Sequence, residues 1–573
     1  MVENKNTGKL YKVLMILMVV GSIAAMLKLI FVGFCQDEEY QIVMAYRRAM
    51  GDVMFKTMWE PHQMSSFFNA PLIKLFMMLS GGTDGLVIFL RICGTLFHIG
   101  VTVFVNRVLK NFFDKKESFL ITLVYFNISV GLFATAEYSN LLFWCMSLTV
   151  GLMILAFRRK EEGKSFLLYL VLSGITFSLA VLAFPMMVIL APFIAICVVK
   201  AFDKKRILAF MALSVPCVLM GSFYVGYHIL EAGSATFFKS ITKITSGDPT
   251  HLVQEGDYWI SKIMPVIKDT LLFGGIGLAI ILIVFAGFRF LKKDDKNSLT
   301  EIFGLSLCIS MVLTAGYWFV FKTGYECGQI YIPVLFITLL IINLKREKKH
   351  RFYINLILTV AFFAIISGEM LSNMEFNMKF PHGAYLIPAF LAVLLKDSQD
   401  SHDKKREAFA TGILIFVCFF FIFAKGFMLR TGIGPNNITC VRNVTRTGPA
   451  KGIFTDYMGA FIMDADYAEW KDHVNEGDKV LIVTNTLQSN VLISYMYENV
   501  TISHYSMLNP FAYNEMLLEY WKEYPERYPD VIVCDCWYGD LLLDKDSWIY
   551  NYIENEFAYT NVTDGKYLRY YRR

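Results

Sequence analysis

Residues 36 to 72 gather side chains able to move protons and bind polar groups. Gln36-Asp37-Glu38-Glu39-Tyr40 sets three carboxylates in succession, then come Arg47-Arg48, Trp59-Glu60-Pro61-His62-Gln63 and Asn69-Ala70-Pro71-Leu72. A carboxylate held in place can act as a general base toward an attacking hydroxyl. His62 with Gln63 offers hydrogen bonds, and His62 with Asp37 could ligate a divalent metal ion. Plainer roles stand beside these. Asp37 can cap a helix running to Met50, with Glu38 and Glu39 favourably placed against its dipole. Glu60-Pro61 can open a second helix with proline in its first turn.

The elements that position these residues follow from composition. Of 573 residues, 55% are hydrophobic and 18% are charged, against roughly 25% charged in soluble proteins. That balance excludes disorder, a coiled coil and a disulfide scaffold, and the net charge of +5 gives no support for nucleic-acid binding. What remains is an all-α polytopic membrane domain. Apolar runs of about 20 residues predict thirteen helices, near 13–34, 84–105, 118–136, 138–157, 165–183, 186–201, 207–230, 269–291, 300–321, 328–344, 353–371, 383–396 and 408–428. The count carries a margin of one or two, because Pro388 interrupts the short twelfth run and the fifth and sixth meet at Phe184-Pro185. Connections 106–117, 158–164, 200–206, 292–297, 345–351 and 396–407 each hold three to five Lys or Arg. The positive-inside rule then places the amino terminus, with Lys5, Lys9 and Lys12, in the cytoplasm, and with no organelle-retention signal in the sequence the plasma membrane is the expected location of this multi-pass protein. The first apolar run lacks an A-x-A-like cleavage site and is kept as a helix.

Three regions fall outside: 35–83, 231–268 and everything after 429. The expected division is a membrane domain 1–430, a Gly/Pro/Asn-rich hinge 431–452 and an extracytoplasmic small α/β domain 453–573. In the last, 479–484, 500–505, 530–535 and 567–571 read as strands, and 487–497, 510–524 and 548–554 as helices, implying a mainly parallel sheet. No Gly-rich phosphate loop follows Thr484, so docking or acceptor shaping is the expected role. Five cysteines (Cys35, Cys327, Cys440, Cys534 and Cys536) lie outside without framework spacing, and no compact metal motif occurs.

An acidic cluster after the first helix, a long outer loop with an amphipathic stretch at 64–79, a dozen or so helices and an outer soluble tail occur together. This set resembles the integral-membrane GT-C glycosyltransferases, especially the protein mannosyltransferase and aminoarabinose or dolichyl-phosphate-sugar type. Asp37-Glu38 with Tyr40 and Ala45 match that family's Asp-Glu and Tyr-Ala pattern, and Pro71-Leu72 match its Pro-Leu element loosely. The basic residue that often precedes Pro-Leu is absent, since Asn69-Ala70 stand there, with Lys74 one turn beyond. Glu-Pro-His-Gln lies outside the family pattern and marks a subgroup with its own donor or acceptor.

The resemblance implies transfer of a hexose or pentose from a polyprenyl-phosphate donor, with inversion, to a glycan, lipid or protein acceptor of the cell envelope. It implies Asp37 as general base, with Glu38 beside it, and no cofactor beyond an optional divalent ion. Donor contacts fall to Glu60, His62, Gln63, Lys74 and Arg91, and to Lys379 and His382 at the outer entrance of the twelfth helix. The plainer role for Arg91 is a salt bridge to a structural carboxylate such as Glu137, and for Lys28 snorkelling to the interface. Asp248, His251, Glu255 and Asp257-Tyr258-Trp259 are a weaker acceptor cluster. Other classes remain open: a lipid-linked glycan flippase, which would carry paired charges near mid-membrane; a polysaccharide polymerase or ligase; and a non-catalytic envelope assembly protein, in which Asp37 would be only a cap.

Overall fold

The computed structural model describes residues 5–573 except 61–62, 129, 132, 247–257, 292–298, 322–327, 347–350, 371–375, 432–433, 484–499, 502, 507–514 and 536–545. The helices are α1 (Lys5–Phe31), α2 (Gln36–Ala49), α3 (Ser66–Ser80), α4 (Leu86–Leu109), α5 (Lys115–Asn127), α6 (Tyr138–Glu161), α7 (Leu167–Ala183), α8 (Ala191–Ala201), α9 (Arg206–Ala232) and α10 (Ser234–Ser246). They continue with α11 (Tyr258–Leu291), α12 (Leu299–Phe321), α13 (Tyr331–Lys345), α14 (Arg351–Met370), α15 (Leu386–Asp400) and α16 (Lys404–Phe427). Each of the thirteen apolar runs contains a helix, and among the described residues eight are long and apolar enough to cross a membrane. The chain is a multi-pass membrane protein.

The fifth run departs from expectation. A capping box starts α5, where the Asp114 carboxylate accepts from the Lys116 and Glu117 backbone at 2.8 Å each. The helix stops at Asn127 rather than 136. There the Asn127 amide donates back to the Leu123 carbonyl and across to Ser22. The next helix begins only at Tyr138, where the Glu137 carboxylate caps it through the backbone N–H groups of Ser139 and Asn140, both at 2.8 Å. The described residues between them form a connecting segment that stays packed on the bundle, with Ile128, Phe133, Ala134 and Ala136 buried.

The chain after α16 forms the hairpin β1 (Met428–Thr431) and β2 (Gly434–Asn437), then β3 (Asn443–Val444) and β4 (Phe454–Thr455), α17 (Tyr457–His473), β5 (Lys479–Val483), β6 (Val500–Thr501), α18 (Glu515–Glu523), β7 (Val531–Asp535), α19 (Trp548–Asn555), β8 (Asn561–Asp564) and β9 (Leu568–Arg572). The five-stranded sheet runs β6-β5-β7-β9-β8. β6, β5 and β7 are parallel, whereas β9 is antiparallel to both of its neighbours. The mainly parallel expectation is thus half right, and α17 and β8 went unread. The short 565–567 connection can only close an antiparallel hairpin, and Glu469 of α17 holds it by accepting from the Lys566, Tyr567 and Leu568 backbone. The helix expected at 487–497 lies outside the described residues.

The sheet unit is sewn to one end of the bundle. Gly85 and Val87, at the start of α4, donate to Gly448 and Pro449 carbonyls at 3.1 Å each, which satisfies helix N–H groups that otherwise lack partners. Gly33, just after α1, donates to the Phe454 carbonyl at 2.8 Å.

Candidate functional site

The site begins where α1 hands over to α2. Cys35 is the N-cap residue of α2 without a side-chain cap bond, so Asp37 is not the cap, and Asp37, Glu38 and Glu39 share the first helical turn. Successive residues on a helix point about 100° apart, and the three carboxylates meet different surroundings. Glu38 and Glu39 are buried, while Asp37 stays half-buried.

Glu38 turns toward α4. Arg91, fully buried, grips it with two guanidinium nitrogens, Nε to Oε1 at 2.8 Å and Nη2 to Oε2 at 2.5 Å. The remaining Arg91 donors reach the Ile30 and Gly33 carbonyls at 3.1 and 2.7 Å, and its guanidinium carbon lies 4.1 Å from the centre of the Phe133 ring. Thr135 of the 128–137 segment donates a further bond to Glu38. Arg91 therefore has a carboxylate partner, as its plainer role required, but the partner is Glu38 rather than Glu137. Both residues were placed in the chemistry by sequence, and the structure joins them to each other. Close approach makes this reach possible: a Cβ on Gly94, one turn after Arg91, would sit 1.8 Å from the Ala134 carbonyl oxygen.

Glu137 completes the acidic group. Removal from water raises its pKa to about 7 despite its two capping bonds, and the negative charges of Asp37 and Glu38 push it further the same way. Carboxylates from two separate segments thus sit within electrostatic reach around Asp37. The signal for Glu137 was in the sequence as a carboxylate just ahead of an apolar run, but the predicted 118–136 span absorbed the segment before it. On α3, Asn69, standing where a basic residue was expected, donates its amide to the Ala136 carbonyl at 2.9 Å and fixes the same segment.

The far end of α2 belongs to a second network. Arg47, in the last turn and buried, donates to Asp52 at 2.7 Å, Glu60 at 3.2 Å, Ser506 Oγ at 3.1 Å and the carbonyls of Thr57 at 3.1 Å and Ser503 at 2.7 Å. Ser506 also donates to Glu60 at 2.6 Å, Arg527 pairs with Asp52 at 2.5 Å, and the Tyr520 hydroxyl donates to the Thr57 carbonyl at 3.0 Å. Lys243 lies 3.6 Å above the Trp59 ring, and Trp59 packs edge-on against Tyr520. Glu60, expected to bind substrate, is fully buried beside Arg47; burial raises its pKa, and the Arg47 charge opposes that rise. Gln63 is buried too and accepts from the Phe55 backbone at 3.1 Å. Both are thus buried with partners inside the loop network. Sequence reasoning missed Ser503, Ser506 and Arg527, whose partners lie hundreds of residues away.

The other expected residues fall elsewhere. Lys74 is exposed on α3. Lys379 is buried and His382 half-buried in the short helix Phe376–Gly383 between α14 and α15. Burial, with Lys379 adding to it, lowers the His382 pKa to about 3, which keeps its ring neutral. His382 packs against Phe184 and Phe184 against Tyr138, with ring centres 6.1 and 5.8 Å apart, so this group reaches the start of α6 through two aromatic contacts. His62 lies outside the described residues, as do Asp248, His251, Glu255 and Asp257. Among the described residues no group of three His, Cys, Asp or Glu is arranged to hold a metal ion.

No family model matches the chain, and no curated protein matches it. Solved structures resemble it. The oligosaccharyltransferase AglB of Archaeoglobus fulgidus, in complex with an inhibitory peptide and a dolichol-phosphate, is 12% identical over 91% of this chain and 69% of that one, with a TM-score of 0.43. The Archaeoglobus fulgidus oligosaccharyltransferase complexed with Zn and sulfate is 13% identical over 91% and 68%, with a TM-score of 0.47. ArnT from Cupriavidus metallidurans, bound to undecaprenyl phosphate, is 10% identical over 98% of both chains, with a TM-score of 0.41.

Proposed function

We propose that this protein is a membrane glycosyltransferase that moves a sugar from a polyprenyl-phosphate donor to an acceptor at the membrane surface, with Asp37 as general base. What supports this is the placing of Asp37: half-buried in the first turn of α2, it follows directly on α1 and neighbours the Glu38–Arg91 pair and Glu137. In the proposed step the acceptor oxygen bonds to the anomeric carbon, the carbon–oxygen bond to phosphate breaks with its electron pair leaving on the phosphate, and the acceptor proton passes to Asp37. A developing oxocarbenium centre is stabilised by nearby negative charge, which Asp37 supplies. Fixing Glu38 through Arg91 removes one carboxylate from that competition and sets the α2 axis. In this reading the amino terminus is cytoplasmic, the sheet unit lies outside with the acceptor, and residues 1–430, 431–452 and 453–573 act as catalytic domain, hinge and acceptor-shaping domain.

The test is sugar transfer in reconstituted vesicles from a panel of polyprenyl-phosphate sugars to cell-envelope extracts. Asp37→Asn keeps size and removes the base, so transfer is expected to fall by roughly 10²–10⁴ while the protein stays folded. Parent-level transfer by the variant would move the chemistry away from α2. A parent inactive with every donor would favour the transporter or assembly readings.

A further inference from the structure

α17 carries two apolar stripes, and only one of them belongs to the core. Ala460, Met463, Tyr467 and Trp470 recur every three or four residues and are buried, as a helix packed on a sheet requires. Tyr457, Met458 and Phe461 stand on another face and are exposed, and Phe454 of β4, just ahead, joins them at 47% exposed. The Tyr457 and Phe461 rings stack 6.0 Å apart, and Phe461 meets Tyr567 edge-on at 5.8 Å. Among the described residues after Leu429, five large hydrophobic side chains are exposed, and four of the five fall between Phe454 and Phe461. Apolar residues exposed singly are ordinary, whereas a cluster marks a surface with an occupant.

What the patch faces follows from two helix ends. The apolar spans Lys9–Phe31 of α1 and Leu86–Leu109 of α4 have 23 and 24 residues. That makes about 34 and 36 Å of helix, just enough to cross a hydrocarbon core of about 30 Å. The carboxyl end of α1 and the amino end of α4 stand at the same boundary, since Arg91 in the second turn of α4 donates to the Ile30 and Gly33 carbonyls. The chain leading into α17 is fixed to both ends. Gly33 donates to the Phe454 carbonyl, Gly85 and Val87 donate to Gly448 and Pro449, and a Cβ on Gly452 would come within 2.8 Å of Ile88 Cδ1. Phe454 is thereby held at headgroup level, and Tyr457 to Phe461 extend only about 6 Å along α17. The exposed side of α1 leads up to the patch: Val20, Ile23 and Leu27 are exposed, and Val32 bridges Phe454. At the far end of α17 the exposed residues are Lys471 and Asp472, so only its first two turns suit lipid.

We propose that Phe454, Tyr457, Met458 and Phe461 form an interfacial anchor that seats the sheet unit in the headgroup layer of the membrane that α1 crosses. The occupant of the patch is the bilayer itself. Tyrosine favours this depth, with its ring in the apolar layer and its hydroxyl in water, and a helix lying at an interface buries its apolar side by about 5–10 Å. The sheet unit is then held from two directions, by backbone bonds to the bundle and by lipid at α17. The inference stands whichever reaction the protein performs.

The full chain is tested in nanodiscs of phosphatidylcholine and phosphatidylglycerol, with photoreactive p-benzoylphenylalanine replacing Tyr457, Met458, Phe461 or Lys471 one at a time. After illumination, mass spectrometry reads what each position has captured. Lipid adducts are expected at Tyr457, Met458 and Phe461 and none at Lys471. Adding Phe461→Asp to the Tyr457 replacement should lower the ratio of lipid-bound to free protein about tenfold, because burial of one aromatic ring is worth at least that factor. A replacement that does not fold, judged by gel filtration, leaves the other positions to decide. Capture of a second copy of the chain in place of lipid would make the patch a contact between copies. Absence of lipid adducts at the folded positions would make it a water-facing surface, and equal adducts at Lys471 would show only general nearness to the bilayer. Any of these overturns the proposal. An adduct undiminished by Phe461→Asp does so too, because the patch would then touch lipid without holding to it.

Discussion

The Glu38–Arg91 pair decides whether the acid cluster was assigned correctly. Both side chains are buried, Arg91 makes two bonds to the carboxylate and two to the Ile30 and Gly33 carbonyls, and Thr135 adds a third contact to Glu38. Removing one partner leaves an uncompensated buried charge, which costs about 3–5 kcal/mol. Glu38→Gln and Arg91→Met should each lose that much in reversible unfolding from mixed micelles. Arg91→Met also strands the two carbonyls, so its cost belongs at the upper end. The double variant buries no unpaired charge and should be less destabilised than the two single losses added together, by about 3 kcal/mol. Transfer should fall in all three in step with the loss of fold. Strictly additive losses, with coupling below about 0.5 kcal/mol, would refute the pairing. A Glu38→Gln protein of parental stability that no longer transfers sugar would return Glu38 to the chemistry, where sequence alone had placed it.

Gly94→Ala should destabilise by about 1–3 kcal/mol, as overpacking does, because its Cβ would meet the Ala134 carbonyl oxygen at 1.8 Å; unfolding of the purified variant reads this directly. Glu137, with a pKa raised from 4.5 to about 7 on folding, binds more protons folded than unfolded. Its contribution is therefore fully present below about pH 4.5 and is lost as pH rises through about 7, at up to about 1.4 kcal/mol per unit. Glu137→Gln should flatten that part of the stability profile. Arg47→Met breaks five hydrogen bonds and should cost about 3–5 kcal/mol, with the linker around 448–454 becoming cleavable in limited proteolysis. Unchanged proteolysis would mean that the sheet unit is held by its other contacts.

What the sequence showed was local. Apolar runs located the helices, since burial in lipid needs only length and composition, and the β-branched stretch at 531–533 was readable as a strand. What it hid was distance along the chain. Glu38 and Arg91 are 53 residues apart, and Arg47 reaches Ser503 across 456. No periodicity encodes such partners, so a buried ion pair read from one end looks like a pair of reactive groups. Glu60 hides its partners in the same way. Its carboxylate, in a loop beside His62 and Gln63, has the composition of a binding residue, and only the meeting with Arg47 and Ser506 makes it internal. The end of α5 failed for a different reason: residues 128–136 are apolar enough to continue a span, and the decision to stop is made by Asn127 through Ser22 of α1, a tertiary contact.

These contacts explain why the polar sequence around Asp37 need not be catalytic throughout. α2 has 14 residues, roughly 20 Å of helix, and both ends are fixed by buried arginines: Arg91 holds Glu38 in the first turn, and Arg47 in the last turn holds the sheet unit. A short helix on a membrane surface has little intrinsic stability, and its first turn would fray without such anchors. Reactive geometry tolerates displacements of well under an ångström before rate is lost. Buried ion pairs thus stand at both ends of the element that carries Asp37, and the sheet unit, through Ser503, Ser506 and Arg527, supplies one of the two supports. The same carboxy-terminal chain thus holds one end of α2 in place.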